Sequence, residues 1–181
     1  MLMKTFIILT LFCSSLYAAD VTNTYPNWIV GGDTNDTLVT LTATNGFGIQ
    51  FALTEDESFF DNWDTPAPPH LRPISVARRE VPIYTVVVFA GAGLRKEGTA
   101  AVTFDAIARK PDGSIYGEQK DIIGAQGVID PSPKVLHLVQ QYFAIRIEPK
   151  DPAGTYTVEV IVTDHVKKLQ LRAVRKFTVE K

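Results

Sequence analysis

Acid–base or metal chemistry in this chain would have to come from its 20 acidic residues and three histidines, and their spacing commits few of them to it. Glu55, Asp56, Glu57, Asp61 and Asp64 form the densest acidic run. Clustered oxygens of this kind suit Ca²⁺. The order does not match an EF-hand loop, and at helical spacing Asp56 and Asp61 do not share one face. The run reads instead as the solvated start of a helix, where the helix dipole favours negative charge. Two carboxylates flanking a sugar could act as acid and base in glycoside hydrolysis. Asp105 and Glu159 are the candidates, yet both fall on strand faces predicted to be polar, and no cleft is indicated. His70, His137 and His165 contain no His-x-His or His-x-x-x-His pair, so no histidine metal site is predicted. No Gly-x-Ser-x-Gly elbow occurs. Gly91-Ala92-Gly93 lacks the Lys-Ser/Thr and the helix that a phosphate loop needs, and reads as a turn closing a strand. The reading is therefore no catalytic residue, no metal and no cofactor. Aromatic residues remain. Trp28, Phe59, Phe60 and Trp63 could stack on sugar rings or anchor a partner protein. The plainer alternative is that they cover one end of the domain as a small satellite core.

The first residues give an address. Met1 to Lys4 make a short positive start, Phe6 to Phe12 an apolar run, and Leu16-Tyr17-Ala18-Ala19 ends in small residues. That layout predicts a secretory signal peptide over residues 1–19, cleaved after Ala18 or Ala19. A spanning helix needs roughly 20 apolar residues, more than this run supplies. Cys13 is the single cysteine and leaves with the signal. Phe12 before it argues against lipid attachment, which prefers a small residue there. The mature chain then has no disulfide, thiolate metal site or cysteine nucleophile, and is held by its core alone. A cysteine-free secreted domain suits a bacterial envelope, periplasmic or extracellular. The whole chain carries a net charge of −2, and loss of Lys4 makes the mature form slightly more acidic. Basic residues occur in short pairs such as Arg78-Arg79, Arg95-Lys96 and Lys167-Lys168, not in blocks, so nucleic acid is not an expected partner. No long apolar run follows the signal. Asn35-Asp36-Thr37 is a glycosylation sequon that matters only in a eukaryotic source.

The elements that must position these residues are mostly strands. Residues 20–73 read as an arm containing Trp28, a hairpin, a short helix and a Pro-rich connector. Asn45-Gly46 between Leu38–Thr44 and Phe47–Leu53 is a strong hairpin signal, because both turn residues tolerate positive φ. Thr54-Glu55-Asp56-Glu57 matches a capping box, and Glu55 to Trp63 reads as one short helix. Thr65 to Pro73 holds four prolines and can be neither helix nor central strand. From Ile74 to the end, strand signals recur. Ile83 to Ala90 is a near-continuous apolar strand. Ala100, Val102, Phe104, Ala106 and Ala108 alternate with their neighbours. Pro111-Asp112-Gly113 turns the chain back through Ser114 to Ile123. Val135–Val139 and Tyr142–Glu148 are strand-like, with a break at Gln140-Gln141 that suggests a bulge or two short pieces. Tyr156, Val158, Val160 and Val162 alternate with Thr155, Thr157 and Glu159, with Ile161 the one exception. Leu169, Leu171, Phe177 and Val179 form the last strand, with a phase shift expected at Ala173-Val174.

The order from Val81 to Glu180 resembles bacterial secreted immunoglobulin-like domains. Gly154-Thr155-Tyr156-Thr157-Val158, the turn at Asp164 and the closing Phe177-Thr178-Val179 carry the resemblance. Tyr156, just after Asp151-Pro152-Ala153-Gly154, resembles the tyrosine corner of such sandwiches, whose hydroxyl bonds back to nearby backbone. The cysteine pair is absent: Val158 stands where the second cysteine would be, and both tryptophans lie upstream. An antibody-type domain is therefore excluded. The resemblance implies an all-β, immunoglobulin-like β-sandwich over residues 74–181, preceded by the hairpin and helical turn. It implies adhesion, ligand display or protein docking. The expected function is a non-catalytic protein-interaction module of the bacterial envelope. A carbohydrate-binding module using the N-terminal aromatics is the alternative, and a carboxylate-based hydrolase ranks third.

Overall fold

A computed structural model describes residues 38–64 and 70–181. The signal segment, the sequon and Trp28 lie outside the described residues. Ten strands and one helix follow in chain order: β1 (Thr40–Thr44), β2 (Phe47–Thr54), α1 (Ser58–Asp61), β3 (Val76–Ala77), β4 (Pro82–Ala90), β5 (Thr99–Arg109), β6 (Ile115–Val128), β7 (His137–Leu138), β8 (Ala144–Arg146), β9 (Gly154–Asp164) and β10 (Leu169–Val179). They form two sheets. Sheet I runs β1-β2-β4, with β7 and β8 sharing the far edge of β4. Sheet II runs β3-β10-β9-β5-β6. The chain is thus an all-β sandwich.

Alternation builds the space between the sheets. On sheet I, Phe47, Ile49, Phe51 and Leu53 of β2 and Ile83, Val87 and Phe89 of β4 face inward and are buried. On sheet II, the inward rows are Ala100, Val102, Phe104, Ala106 and Ala108 of β5, then Tyr156, Val158, Val160 and Val162 of β9. Small alanines on β5 leave room for the large rings opposite, which is how a core reaches native density. The Tyr156 ring stacks on Phe177 at 5.3 Å and 13°. Its hydroxyl donates to the Pro152 carbonyl at 2.9 Å, four residues upstream. A buried phenol satisfied in this way holds the β8–β9 crossing in place.

β1 and β2 meet at Asn45-Gly46, with φ of 47° and 71°, the left-handed pair that a tight hairpin turn demands. β2 is not an appendage. It pairs with β4 from Gly48↔Ala90 to Thr54↔Tyr84, and its inward residues sit in the same core as sheet II. The core crosses residue 74 without a break.

One end of the sandwich is tied by Asp164, which is fully buried. Its Oδ2 accepts the Gly93 amide at 2.7 Å, and its Oδ1 accepts the Val166 and Lys167 amides at 2.9 and 3.0 Å. The Lys167 ammonium then donates to the carbonyls of Gly91 (2.6 Å) and Gly46 (3.4 Å). Three turns from both sheets are joined here. Gly91 is required: its φ is 68°, and a Cβ would lie 1.9 Å from the Gly46 carbonyl oxygen. Gly91-Ala92-Gly93 is thus a strand-closing turn, as its residues predict.

Two local expectations are corrected, and the two short pieces expected on either side of Gln140-Gln141 are found as β7 and β8. The helix does not begin with a Thr54 capping box. Thr54 is the last residue of β2, its hydroxyl donates to the Arg72 carbonyl at 2.8 Å, and the helix opens only at Ser58. β10 has no phase shift: its register with β9 is continuous from Leu169↔Asp164 to Val179↔Gly154. The apparent break arises because Arg175 takes an inward-side position at the rim, where its Nη1 donates to Thr40 Oγ1 at 3.4 Å. At Gln140-Gln141 the chain leaves sheet I and reaches β6 of sheet II, with the Gln140 and Gln141 amides donating to the Gly124 and Ile123 carbonyls at 2.9 and 3.0 Å. The two strand-like runs around them shrink to β7 and β8.

Candidate functional site

The outer face of sheet I is covered, and the covering carries the aromatic residues. β2 ends at Thr54, whose hydroxyl oxygen also accepts the Asp56 amide at 3.1 Å. Asp56 in turn accepts from the Ser58 amide (3.1 Å) and hydroxyl (2.6 Å). These short bonds fold residues 54–58 tightly enough for α1 to lie back over the sheet. Phe59 points down and is buried against Ala52, Val86, Val88 and Leu71. Burying a ring of this size stabilises by roughly 1.5–3 kcal/mol. Phe60 and Trp63 flank it and are half-buried. Phe59 meets Phe60 edge-on at 5.8 Å and Trp63 at 5.8 Å.

Two tyrosines complete the set. Tyr84 stands on the outer face of β4, and Tyr142 lies just before β8. Pairing of Tyr84 with Ala144 brings them together. Phe60 lies 4.5 Å from Tyr142 and 5.9 Å from Tyr84, and the two tyrosines meet edge-to-face at 5.3 Å. Tyr142 is 38% exposed and its hydroxyl donates to Glu57 Oε1 at 3.1 Å. Burial, with help from the Glu57 carboxylate, pushes the Tyr84 phenol up to about 12. The hydrogen bond to Glu57, then burial, raises the Tyr142 phenol. Both rings therefore stay neutral donors at ordinary pH.

A cleft of about 350 Å³ opens beside this cluster, with Phe60, Trp63 and Tyr142 on one wall and His137, Gln140 and Asp64 supplying polar atoms. A second, shallower groove of about 490 Å³ lies on the other side of Tyr142, between Tyr84, Ile145 and Arg146. Tyr142 is the ridge between them. Gln140 is not free to contact a ligand with its amide. Its Oε1 accepts the Gln126 amide at 3.2 Å and its Nε2 donates to the Gln126 carbonyl at 3.3 Å, so it mimics a strand residue. His137 Nε2 lies 2.8 Å from the Asp130 carbonyl, which only accepts, so Nε2 carries the hydrogen of that bond. The imidazole also packs against Phe89 at 5.5 Å.

The predicted binding residues thus divide. Phe59 is core. Phe60 and Trp63 line the cleft. Sequence reasoning missed Tyr84 and Tyr142. Tyr84 lies inside an apolar strand that reads as core, and Tyr142 stands alone after a break. The signal that joins them is strand pairing, which no single segment displays.

The other candidates are scattered. Glu55 accepts from the Arg78 amide and Nε at 2.8 and 2.7 Å, Asp56 holds Ser58, and Glu57 holds Tyr142. Among the described residues no group of three metal-ligating side chains gathers. His165 Nε2 lies 2.8 Å from Thr103 Oγ1, and His70 is exposed elsewhere. Asp105 Oδ1 accepts the Asp121 amide at 2.9 Å. Glu159 is held by Arg172, with Nη2–Oε2 at 2.7 Å, and that bond keeps its carboxyl below the usual range. Among the described residues no helix is long and apolar enough to cross a membrane.

The fold and this face define an all-β sandwich with an aromatic outer surface. No family model matches the chain, and no curated protein matches it. Among solved structures it is similar to a family 123 glycoside hydrolase from Clostridium perfringens, with a TM-score of 0.43 and 11% identity, over 74% of this chain and 27% of that one. Glycolipid glycan hydrolysis is the activity described for that enzyme.

Proposed function

We propose that this chain is a secreted, non-catalytic interaction module of a bacterial envelope, immunoglobulin-like in its sandwich, that docks a protein through the aromatic face of sheet I. The gathering of Phe60, Trp63 and Tyr142 beside two clefts is the observation that carries this reading. Aromatic anchors set in a partly polar rim are the usual centres of binding energy. The Glu57 carboxylate fixes Tyr142 and so lowers the entropy lost on binding. The Tyr156 corner supports the immunoglobulin-like assignment. The test is a pull-down from envelope extract with the mature protein. A stoichiometric protein partner that is lost on Trp63→Ala plus Tyr142→Ala, with folding intact, supports the proposal. A partner retained by that variant refutes the assigned face.

A second reading, a carbohydrate-binding module, rests on the mixed lining of the 350 Å³ cleft. Ring faces there stand next to the Asp64 carboxylate and the His137 imidazole, as sugars require for their CH faces and hydroxyls. Quenching of Trp63 fluorescence in a glycan titration, with no protein partner recovered, would favour it.

A further inference from the structure

The outer face of sheet II carries a different kind of groove. Arg109 on β5, Thr157 on β9 and Lys176 on β10 are direct cross-strand neighbours on this face. Strands lie about 4.8 Å apart, so the two basic residues flank Thr157 at about 10 Å. Their long side chains can close that gap over the threonine hydroxyl. Lys110 stands at the end of β5, and Thr155 lies on the same face of β9. Together with Glu159 and Arg172 these residues line a groove of about 450 Å³.

The charges do not cancel. Glu159 is matched by Arg172 in a two-point contact. Arg109 bonds a neutral carbonyl, that of Gly113 at 3.3 Å, while Lys110 lies 5.7 Å over the Tyr116 ring with the Asp112 and Asp151 carboxylates near it. Among the described residues, no ion pair reaches Lys176. Two positive charges, Arg109 and Lys176, therefore flank the Thr157 hydroxyl, on a chain whose overall charge is −2. Like charges placed so close on a fold repel one another, and an anion seated between them relieves the repulsion.

We infer that this groove binds an acidic carbohydrate, one of its carboxylate or sulfate groups sitting over Thr157 between Arg109 and Lys176. Arg109 offers a planar fork to the oxyanion, Lys176 a compact ammonium, and the threonine hydroxyls donate from below. Glu159 accepts from a sugar hydroxyl beside them. β9, the floor of the groove, is paired on both sides by β5 and β10, so it offers no free backbone edge for an acidic peptide to pair with. Glu159 within it would repel anionic headgroups and accept from sugar hydroxyls, which favours a carbohydrate over an anionic bilayer.

The test is titration of the mature protein with a size-selected heparin octasaccharide, by calorimetry, at two salt concentrations, with a neutral dextran oligosaccharide alongside. Binding is expected for heparin alone and weakens with salt. Arg109→Glu plus Lys176→Glu should reduce affinity by about tenfold or more, since each charged hydrogen bond lost is worth about that factor. Lys120→Glu, an exposed charge change elsewhere on β6, should change it less than about twofold. Thermal melts of each variant report folding, and Lys176→Ala replaces the double variant should that fail to fold. No binding, equal loss with Lys120→Glu, or stronger binding to polyglutamate or to phosphatidylglycerol vesicles overturns the inference.

Discussion

The outer faces of sheet I and sheet II start from similar strands and become opposite surfaces. β4 is apolar on both sides: Val86 and Val88 face out as Val87 and Phe89 face in. An outer face of this kind must be covered, and α1 with Leu71 covers it, bringing a cluster of rings to the surface. β9 alternates in burial, with Val158 and Val160 in and Thr157 and Glu159 out and Ile161 the one apolar residue on the outer side, so that face needs no cap. A strand that is hydrophobic on both sides recruits a cap, and the rim of that cap is where binding groups gather. A strand of period two leaves a plain surface whose chemistry depends on which neighbours fall beside it.

Substitutions can break or sharpen this contrast. The largest effect is expected from Phe59→Ala, which removes the ring that fastens the cap. It should cost about 3–5 kcal/mol in chemical denaturation, while Val174→Ala on the bare face should cost less than about 0.5 kcal/mol. Equal costs would mean the two faces are not built differently. Asp164→Ala removes the acceptor of three amides, that of Gly93 buried and those of Val166 and Lys167 part-buried, and should cost about 2–4 kcal/mol by the same measurement. Next is the corner: Tyr156→Phe leaves the Pro152 carbonyl unpaired and should cost about 1 kcal/mol or more, and no change would remove the corner assignment.

Two smaller effects depend on pH. The Tyr84 phenol is raised in the folded state, so its contribution is full below the unfolded value near 10 and is lost as pH rises toward about 12. Tyr84→Phe should therefore flatten the alkaline fall of the melting temperature above pH 10. The Glu159 carboxyl is lowered, so its contribution is present above the ordinary carboxylate range and is lost as pH falls through its folded value. Glu159→Gln should lower the melting temperature slightly at pH 7, the partner Arg172 being 66% exposed, and should match the parent in strong acid. A difference that persists in acid would mean the Arg172 contact is not its source.

The fold was legible where one segment carries its own signal. Asn45-Gly46, the alternation of Ala100 to Ala108 and the Tyr156 turn each need only neighbours in sequence, and each is found in place. Legibility failed where the determining partner is remote. Nothing near Thr54 announces that its hydroxyl will serve Arg72, and nothing near Arg175 announces Thr40. The site follows the same rule. Phe59, Phe60 and Trp63 stand out together, but Phe59 is taken by the core, and Tyr84 and Tyr142 join only through β4–β8 pairing. The basic groove is the extreme case: Arg109 and Lys176 lie far apart in the chain and become neighbours only across β9.

The most direct test of the contrast is one partner-capture experiment with two double variants. Mature protein, Trp63→Ala plus Tyr142→Ala, and Arg109→Glu plus Lys176→Glu are each used to pull down from envelope extract, with melts confirming that all three are folded. Loss of the stoichiometric protein partner in the first variant and its retention in the second is the result this account predicts. Retention in the first and loss in the second would place protein docking on sheet II and contradict it.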